Sequence, residues 1–266
     1  MHESSRLSPA LKRALAASAP VASAKGPLRA LGVEAVDRVL GGGLALGACH
    51  EIFAREESGG ASATGFAVML AQRLMQEGPS TMLWLREEKV QRRAGLNGAG
   101  LTDLGLDPAR LILGILPDAK ALLRASVDAL RCRGALGVVM LELSGNPRLL
   151  DLTASRRMAL AAEASGVTLL LLRTDRACPV PSAAFTRWEI GPAPSHSLEA
   201  DAPGHPMFAV TLLRQRGGPA DFNWILEWDR DAGHFRPAAL PGTRLPLSGG
   251  GPLPATDEGE RWRLAG

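Results

Sequence analysis

Between Glu51 and Leu74 the chain reads EIFAREESGGASATGFAVMLAQRL: a short apolar run, a turn rich in serine and glycine, then helical spacing. A loop of the GxxxxGK[ST] kind at such a junction holds phosphate. Its glycines let backbone N–H groups turn inward, a lysine reaches the β- and γ-phosphates, and the next hydroxyl binds Mg²⁺. Only part of that set is present: Ser58, Gly59 and Gly60 make the turn, and Ser62 offers a hydroxyl. Ala54 stands in the place of the first glycine, Gly60 in that of the lysine and Ala61 in that of the hydroxyl. Sliding the frame by one or two residues brings in Ser62 or Thr64 but no lysine. Glu56 and Glu57 would face the anion, which is unfavourable by several kcal/mol at low dielectric and by less with Mg²⁺ or solvent between them. The sequence predicts that ordinary triphosphate binding is lost. A Gly/Ser-rich turn before a core helix is the plainer reading of the motif.

Two further carboxylates stand where such a site would want them. Glu87 closes the run Leu83-Trp84-Leu85-Arg86 at a strand end, the edge where ligands of parallel sheets bind. Glu142 closes Val138-Val139-Met140-Leu141, where nucleotide hydrolases place an aspartate that holds Mg²⁺; glutamate has the longer reach. Each is also ordinary as a solvated charge at a strand end. His50, His196, His205 and His234 lack a metal-ligand spacing, and no GxSxG or HExxH occurs. Cys49, Cys132 and Cys178 are odd in number and far apart, so neither a disulfide framework nor a zinc site is expected. Arg156-Arg157 and Arg214-Gln215-Arg216 are small basic groups, more ordinary on a solvated face than in a nucleic-acid stripe.

The elements that must position these residues follow from periodicity. Of 266 residues, 46% are hydrophobic and the net charge is +3, enough apolar material for a core and too small a surplus to argue for nucleic-acid or membrane partners. Strands are expected at 48–54, 81–86, 110–116, 137–143 and 167–173, and helices at 34–40, 61–77, 118–132 and 148–165. The runs VVMLEL and VTLLLL lack polar alternation, as strands do when helices cover both faces of a mainly parallel sheet. The expected fold is a doubly wound α/β core. After residue 184 the texture changes to strands at 185–190, 207–215 and 222–228 joined by Gly/Pro/Asp turns, read as antiparallel strands added on one edge. Residues 1–28 read as a tail with one amphipathic stretch carrying Leu11 and Leu15, a possible docking helix. Residues 237–266 read as a flexible tail whose Trp262, between Arg261 and Arg263, is a candidate partner anchor. No apolar run approaches the ~20 residues of a membrane span, and a cytoplasmic protein is expected.

GVEAVDRVLGGGLALGACHEIFAREESGG resembles the stretch of bacterial RecA recombinases in which a short helix and a glycine-rich turn lead into the phosphate loop. The later order of strands ending in Glu87, Glu142 and Arg173-Thr174 is similar too. Within that superfamily the chain is most similar to the ImuA family, the RecA-like accessory proteins of a mutagenic translesion-synthesis cassette. The residues that carry this are the lysine-less loop, Phe185-Thr186-Arg187-Trp188, and Arg214-Gln215-Arg216-Gly217-Gly218 followed by Trp224. The resemblance covers roughly residues 28 to 236 and implies a RecA-like core over 29–236.

It further implies a non-catalytic adaptor in SOS-type, DNA-damage-induced mutagenesis, with three candidate partners. These are ImuB, a relative of the Y-family polymerases, an error-prone replicative-type polymerase, and RecA itself. Glu87 stands where the recombinases keep the glutamate that activates water, while the loop lysine and its hydroxyl, the next strand's Asp and the Asn-Gln pair at 173–174 are replaced. No cofactor is therefore expected. The two connections that grip single-stranded DNA in recombinases are here only 144–147 and 175–184, too short for a basic groove with aromatic platforms, so direct DNA binding is expected to be weak or absent. Two other readings stay open: an ATPase with Glu87 as base and Glu142 as metal ligand, and a cell-division inhibitor resembling SulA.

Overall fold

The computed structural model of the chain describes residues 26–56, 59–79, 81–145, 147–175, 179–195 and 204–238. Leu11, Leu15, Ser58, Arg261, Trp262 and Arg263 lie outside the described residues. Two short strands, β1 (Leu28–Arg29) and β2 (Leu44–Ala45), pair antiparallel around helix α1 (Glu34–Val39). β1 takes in Leu28, the last residue of the segment read as a tail. The main sheet begins at β3 (Cys49–Ala54), which leads into α2 (Gly60–Leu74). Then come β4 (Met82–Glu87), two six-residue helices α3 (Glu88–Arg93) and α4 (Gly98–Asp103), and β5 (Leu111–Leu116). The chain continues through α5 (Ala119–Ala129), β6 (Val138–Leu143), α6 (Leu152–Ser165) and β7 (Thr168–Arg173), and closes with β8 (Thr186–Pro192), β9 (Met207–Gln215), β10 (Phe222–Asp229) and β11 (His234–Pro237).

The order across the nine-stranded sheet is β11-β10-β9-β8-β3-β7-β6-β4-β5. From β8 to β5 every pairing is parallel, and β9, β10 and β11 add antiparallel to the side of β8. This is the expected doubly wound core with antiparallel strands on one edge. Strands β3, β6 and β7 are buried along their whole length because α2 covers one face and α5 and α6 the other. Phe66, Leu70 and Leu74 place the buried stripe of α2 against Ile52, Met140, Leu172, Trp188 and Phe208. On the opposite face Leu122, Leu130, Met158 and Ala162 pack on Leu85, Val139, Leu141 and Leu171.

Helix boundaries follow local chemistry. Asp118 caps α5 by accepting from the Ala121 N–H at 2.8 Å, as expected, and Asp151 caps α6 through the Ala154 N–H at 2.7 Å. That second cap starts α6 at Leu152 and not at Arg148. Gly166, at φ +82°, ends it in the left-handed conformation that side chains resist. The far ends of the described chain are stitched together, since the Phe235 N–H donates to the Leu31 carbonyl at 3.0 Å.

Candidate functional site

The carboxyl ends of the parallel strands converge on the loop between β3 and α2. Arg55 pins the start of that loop: its backbone N–H donates to the Ile190 carbonyl at 2.8 Å, Nε reaches Glu189 at 3.0 Å and Nη2 reaches Thr211 at 2.9 Å. The turn then tightens, with the Gly59 N–H donating to the Glu56 carbonyl at 2.9 Å. Gly59 is buried and Ser62 half-buried in the first turn of α2. At Gly60 the backbone runs against the end of β7, so that a Cβ there would lie 2.9 Å from the Thr174 carbonyl oxygen. That is closer than real Cβ contacts come. The position aligned with the phosphate-binding lysine therefore has no room for a side chain unless the end of β7 moves.

Glu142 is buried on the α2 side of the sheet, directly opposite Arg86 in the β4–β6 register. The Arg86 guanidinium grips it with two bonds, Nε at 2.6 Å and Nη2 at 3.2 Å, and the Trp84 indole N–H donates to it at 2.9 Å. Arg86 also donates to Gln91 Oε1 at 2.6 Å and to the Ala94 carbonyl at 3.0 Å, and stacks over the Trp84 ring at 5.5 Å. A fixed monovalent cation thus occupies this carboxylate from within the fold. Glu87, the next residue after Arg86, projects to the other face. It is only 3% exposed, with Oε2 at 2.8 Å from Lys89 Nζ and Oε1 making no hydrogen bond among the described residues. The structure brings Gly59, Gly60 and Ser62 together by sequence and joins Glu142 to Arg86, but does not set Glu87 beside Glu142.

The two connections after β6 and β7 are fastened to each other. Ser144 Oγ donates to Asp175, and Arg93 Nη2 donates to the same carboxylate at 3.0 Å.

A second buried charge cluster escaped the sequence reading. Glu51, fully buried in β3, lies in register with Arg187 of β8, whose Nε is 2.8 Å from its Oε2. Ser182 Oγ donates to the same oxygen at 2.7 Å, and Arg173 Nη1 stands 4.0 Å from Oε1. Burial pushes the Arg173 guanidinium below its ordinary pKa, with Glu51 opposing the shift. The Arg214 and Arg216 side chains, read as a solvated basic group, donate to the Ser182 and Ala183 carbonyls at 3.1 and 2.6 Å. They hold the segment that covers Glu51. The available signal was a lone carboxylate, next to His50, in a strand that is otherwise apolar and is flanked by strands that each carry an arginine.

Neighbouring His50 is a structural group. Its ring nitrogens meet Thr186 Oγ1 at 2.7 Å and the Ala45 carbonyl at 2.8 Å, and burial pulls its pKa from 6.5 to about 4. Burial likewise pushes the Cys49 thiol well above its ordinary range, leaving it a poor nucleophile. Among the described residues no group of three His, Cys, Asp or Glu could hold a metal ion, and no helix is long and apolar enough to cross a membrane.

The segments that carried the sequence resemblance come together around β8 and β9, where Trp188 packs on Trp224 at 6.4 Å between ring centroids. No family model matches the chain. Protein ImuA of Caulobacter vibrioides, in each of two strains, is 35% identical over 221 residues that cover 78% of this chain and 86% of the relative. Among solved structures, the RadB recombinase superposes with a TM-score of 0.51 at 14% identity, covering 79% of this chain and 99% of that one. At that identity the likeness speaks for the fold, which is RecA-like.

Proposed function

The chain belongs to the ImuA family, and from that premise we propose that it is a catalytically silent RecA-fold adaptor of the ImuA/ImuB mutagenesis system. Its work is to join an ImuB-type Y-family polymerase relative to an error-prone polymerase, with RecA as a further candidate partner. The observation that carries the silent part is the closed path at Gly60, where the Thr174 carbonyl fills the space a lysine stem would need. Arg86 supports it by occupying the carboxylate that would otherwise face a metal. A phosphate loop without a cation or a metal cannot neutralise the charge that develops in phosphoryl transfer. The fastened connections at Ser144 and Asp175 support a role without a mobile DNA grip.

The test is a titration with Mg²⁺–ATP alongside a turnover assay, on the wild type and Glu87→Ala. No saturable binding and no turnover above background is expected. Micromolar affinity with hydrolysis that depends on Glu87 would replace the adaptor by an ATPase, a reading favoured by the buried Glu87 Oε1, which makes no hydrogen bond among the described residues. Capture of the ImuB-type protein by the full chain and by a chain ending at Phe235 then tests the adaptor role and the Trp262 anchor separately.

A further inference from the structure

The sheet ends at β5, and this end is left open. β5 pairs with β4 alone, and apart from the Leu111 N–H, which donates to the Pro108 carbonyl, no backbone group of residues 111–116 bonds elsewhere among the described residues. In a parallel pair, alternate residues turn their N–H and C=O groups away from the neighbour, so the outer side of β5 presents an unused hydrogen-bonding row. Sheets usually guard such an edge with lysine, proline or a bulge. Leu111-Ile112-Leu113-Gly114-Ile115-Leu116 carries no charge and no proline. Ile112, Leu113 and Ile115 are 52%, 39% and 40% exposed, although each belongs to a type that is usually buried. They project on both faces, Leu113 and Ile115 on the side of Trp84 and Arg86, Ile112 on the side of Leu83.

The pattern along the strand identifies what fits there. Two copies of one strand pair antiparallel about a two-fold axis perpendicular to the sheet, and residues on the same face can oppose each other only if their numbers sum to an even value. With the axis through Gly114, Leu113 meets Ile115 of the second copy on one face, and Ile112 meets Leu116 on the other. The two Gly114 residues meet at the centre. Continuing outward, Leu111 comes opposite Pro117 of the second copy; beyond the strand the exposed Arg110, which ends a short turn 3.9 Å from Asp107, faces the exposed Asp118 that also caps α5, twice by symmetry. The edge is thus apolar on both faces at its middle and charge-complementary to itself at its ends. Moving the axis to Leu113 would set Arg110 against Leu116 and lose that match. We propose that β5 is a self-association edge, on which a second copy of this chain docks antiparallel about Gly114 and continues the sheet from one protomer into the next. An isologous contact of this kind closes on itself and stops at two.

Sedimentation velocity on the full chain, across a wide concentration range, tests this. The mass is expected to rise from the 27.9 kDa monomer towards twice that value. Leu113→Lys and Ile115→Lys place like charges across the axis and should weaken the dimer by at least about tenfold, with circular dichroism and melting unchanged because these side chains are half in solvent. Register is read by cross-linking, with Cys132 and Cys178 first replaced by serine. A mixture of Leu113→Cys and Ile115→Cys chains should form an intermolecular disulfide under mild oxidation, since opposed positions lie within disulfide reach. Neither variant should do so alone. A chain that stays monomeric throughout overturns the proposal, as does a dimer that both lysine variants leave intact. Self-linking of Leu113→Cys alone would shift the axis and overturn the register. A monomer whose lysine variants instead fail to capture the ImuB-type protein would assign the edge to a different partner and overturn the second copy as its occupant.

Discussion

Replacing Arg86 by methionine keeps the bulk and apolar stem while leaving the Glu142 carboxylate buried, with the Trp84 indole N–H as its one remaining donor among the described residues. Both side chains are 3% exposed and the shorter contact is 2.6 Å, so solvent cannot take over the lost interaction. Breaking a pair of this kind by removing one partner costs about 3–5 kcal/mol. At roughly 2–4 °C per kcal/mol for a domain of this size, melting should fall by about 10 °C. Glu142→Gln added to Arg86→Met removes the stranded charge and still accepts from Trp84, so the double variant should recover most of the loss. Urea unfolding followed by far-UV circular dichroism gives both numbers, and the comparison separates a structural pair from a disguised metal site. If Glu142 is a metal ligand that Arg86 merely covers, Arg86→Met should become stabilised by Mg²⁺, by about 2.7 kcal/mol at a hundredfold excess over the dissociation constant. A loss below about 1 kcal/mol in the single variant, or a Mg²⁺-dependent rescue of it, would show that Arg86 and Glu142 are not a structural pair.

Other outcomes follow from the same geometry. Gly60→Ala should destabilise by about 1–3 kcal/mol through the contact with Thr174, and Gly60→Lys should melt lower still while gaining no affinity for ATP, both read by thermal melting with and without Mg²⁺–ATP. His50 has its pKa lowered from 6.5 to about 4, so the folded chain binds fewer protons than the unfolded one between those values. Stability is then complete above pH 6.5 and falls by about 3 kcal/mol as pH drops to about 4. In His50→Gln the slope attributable to this group should vanish from urea unfolding curves measured across that window. Under native conditions a thiol reagent should label the exposed Cys132 and spare Cys49, whose thiol is buried and shifted upward; rapid labelling of Cys49 would contradict the packing of β3.

Most of the sheet was legible because β6 and β7 are buried on both faces and so appear as nearly continuous apolar runs. The antiparallel strands showed themselves by alternation and turns. What depends on partners far along the chain did not show. β11, four residues reading His-Phe-Arg-Pro, is too short to show a pattern of its own; beyond its hairpin with β10 it is held by the distant Leu31, whose carbonyl accepts from the Phe235 N–H at 3.0 Å. α2 stops at Leu74, short of the expected Glu77, because the next side chains have tertiary partners: Gln76 donates to the Gly233 carbonyl at 2.6 Å, and Glu77 pairs with Arg29 at 2.5 Å. At the site, the missing lysine could be read from the loop, but the closure over Gly60 could not, since Thr174 is 114 residues away. Glu142 was visible as a strand-end carboxylate. Its bond to Arg86 became visible only with the β4–β6 adjacency, and that of Glu51 to Arg187 only with the β3–β8 register.

The bond from Phe235 back to Leu31 has a consequence for synthesis. The aromatic ring of Phe235 is itself fully buried, 5.1 Å from that of Phe66 and 4.9 Å from that of Trp228. A nascent chain still lacking this last strand leaves the Leu31 carbonyl unanswered and one flank of α2 bare. The segment around Leu31 must wait during synthesis for a strand made much later in the chain, and the intermediate that waits exposes sticky surface to its neighbours.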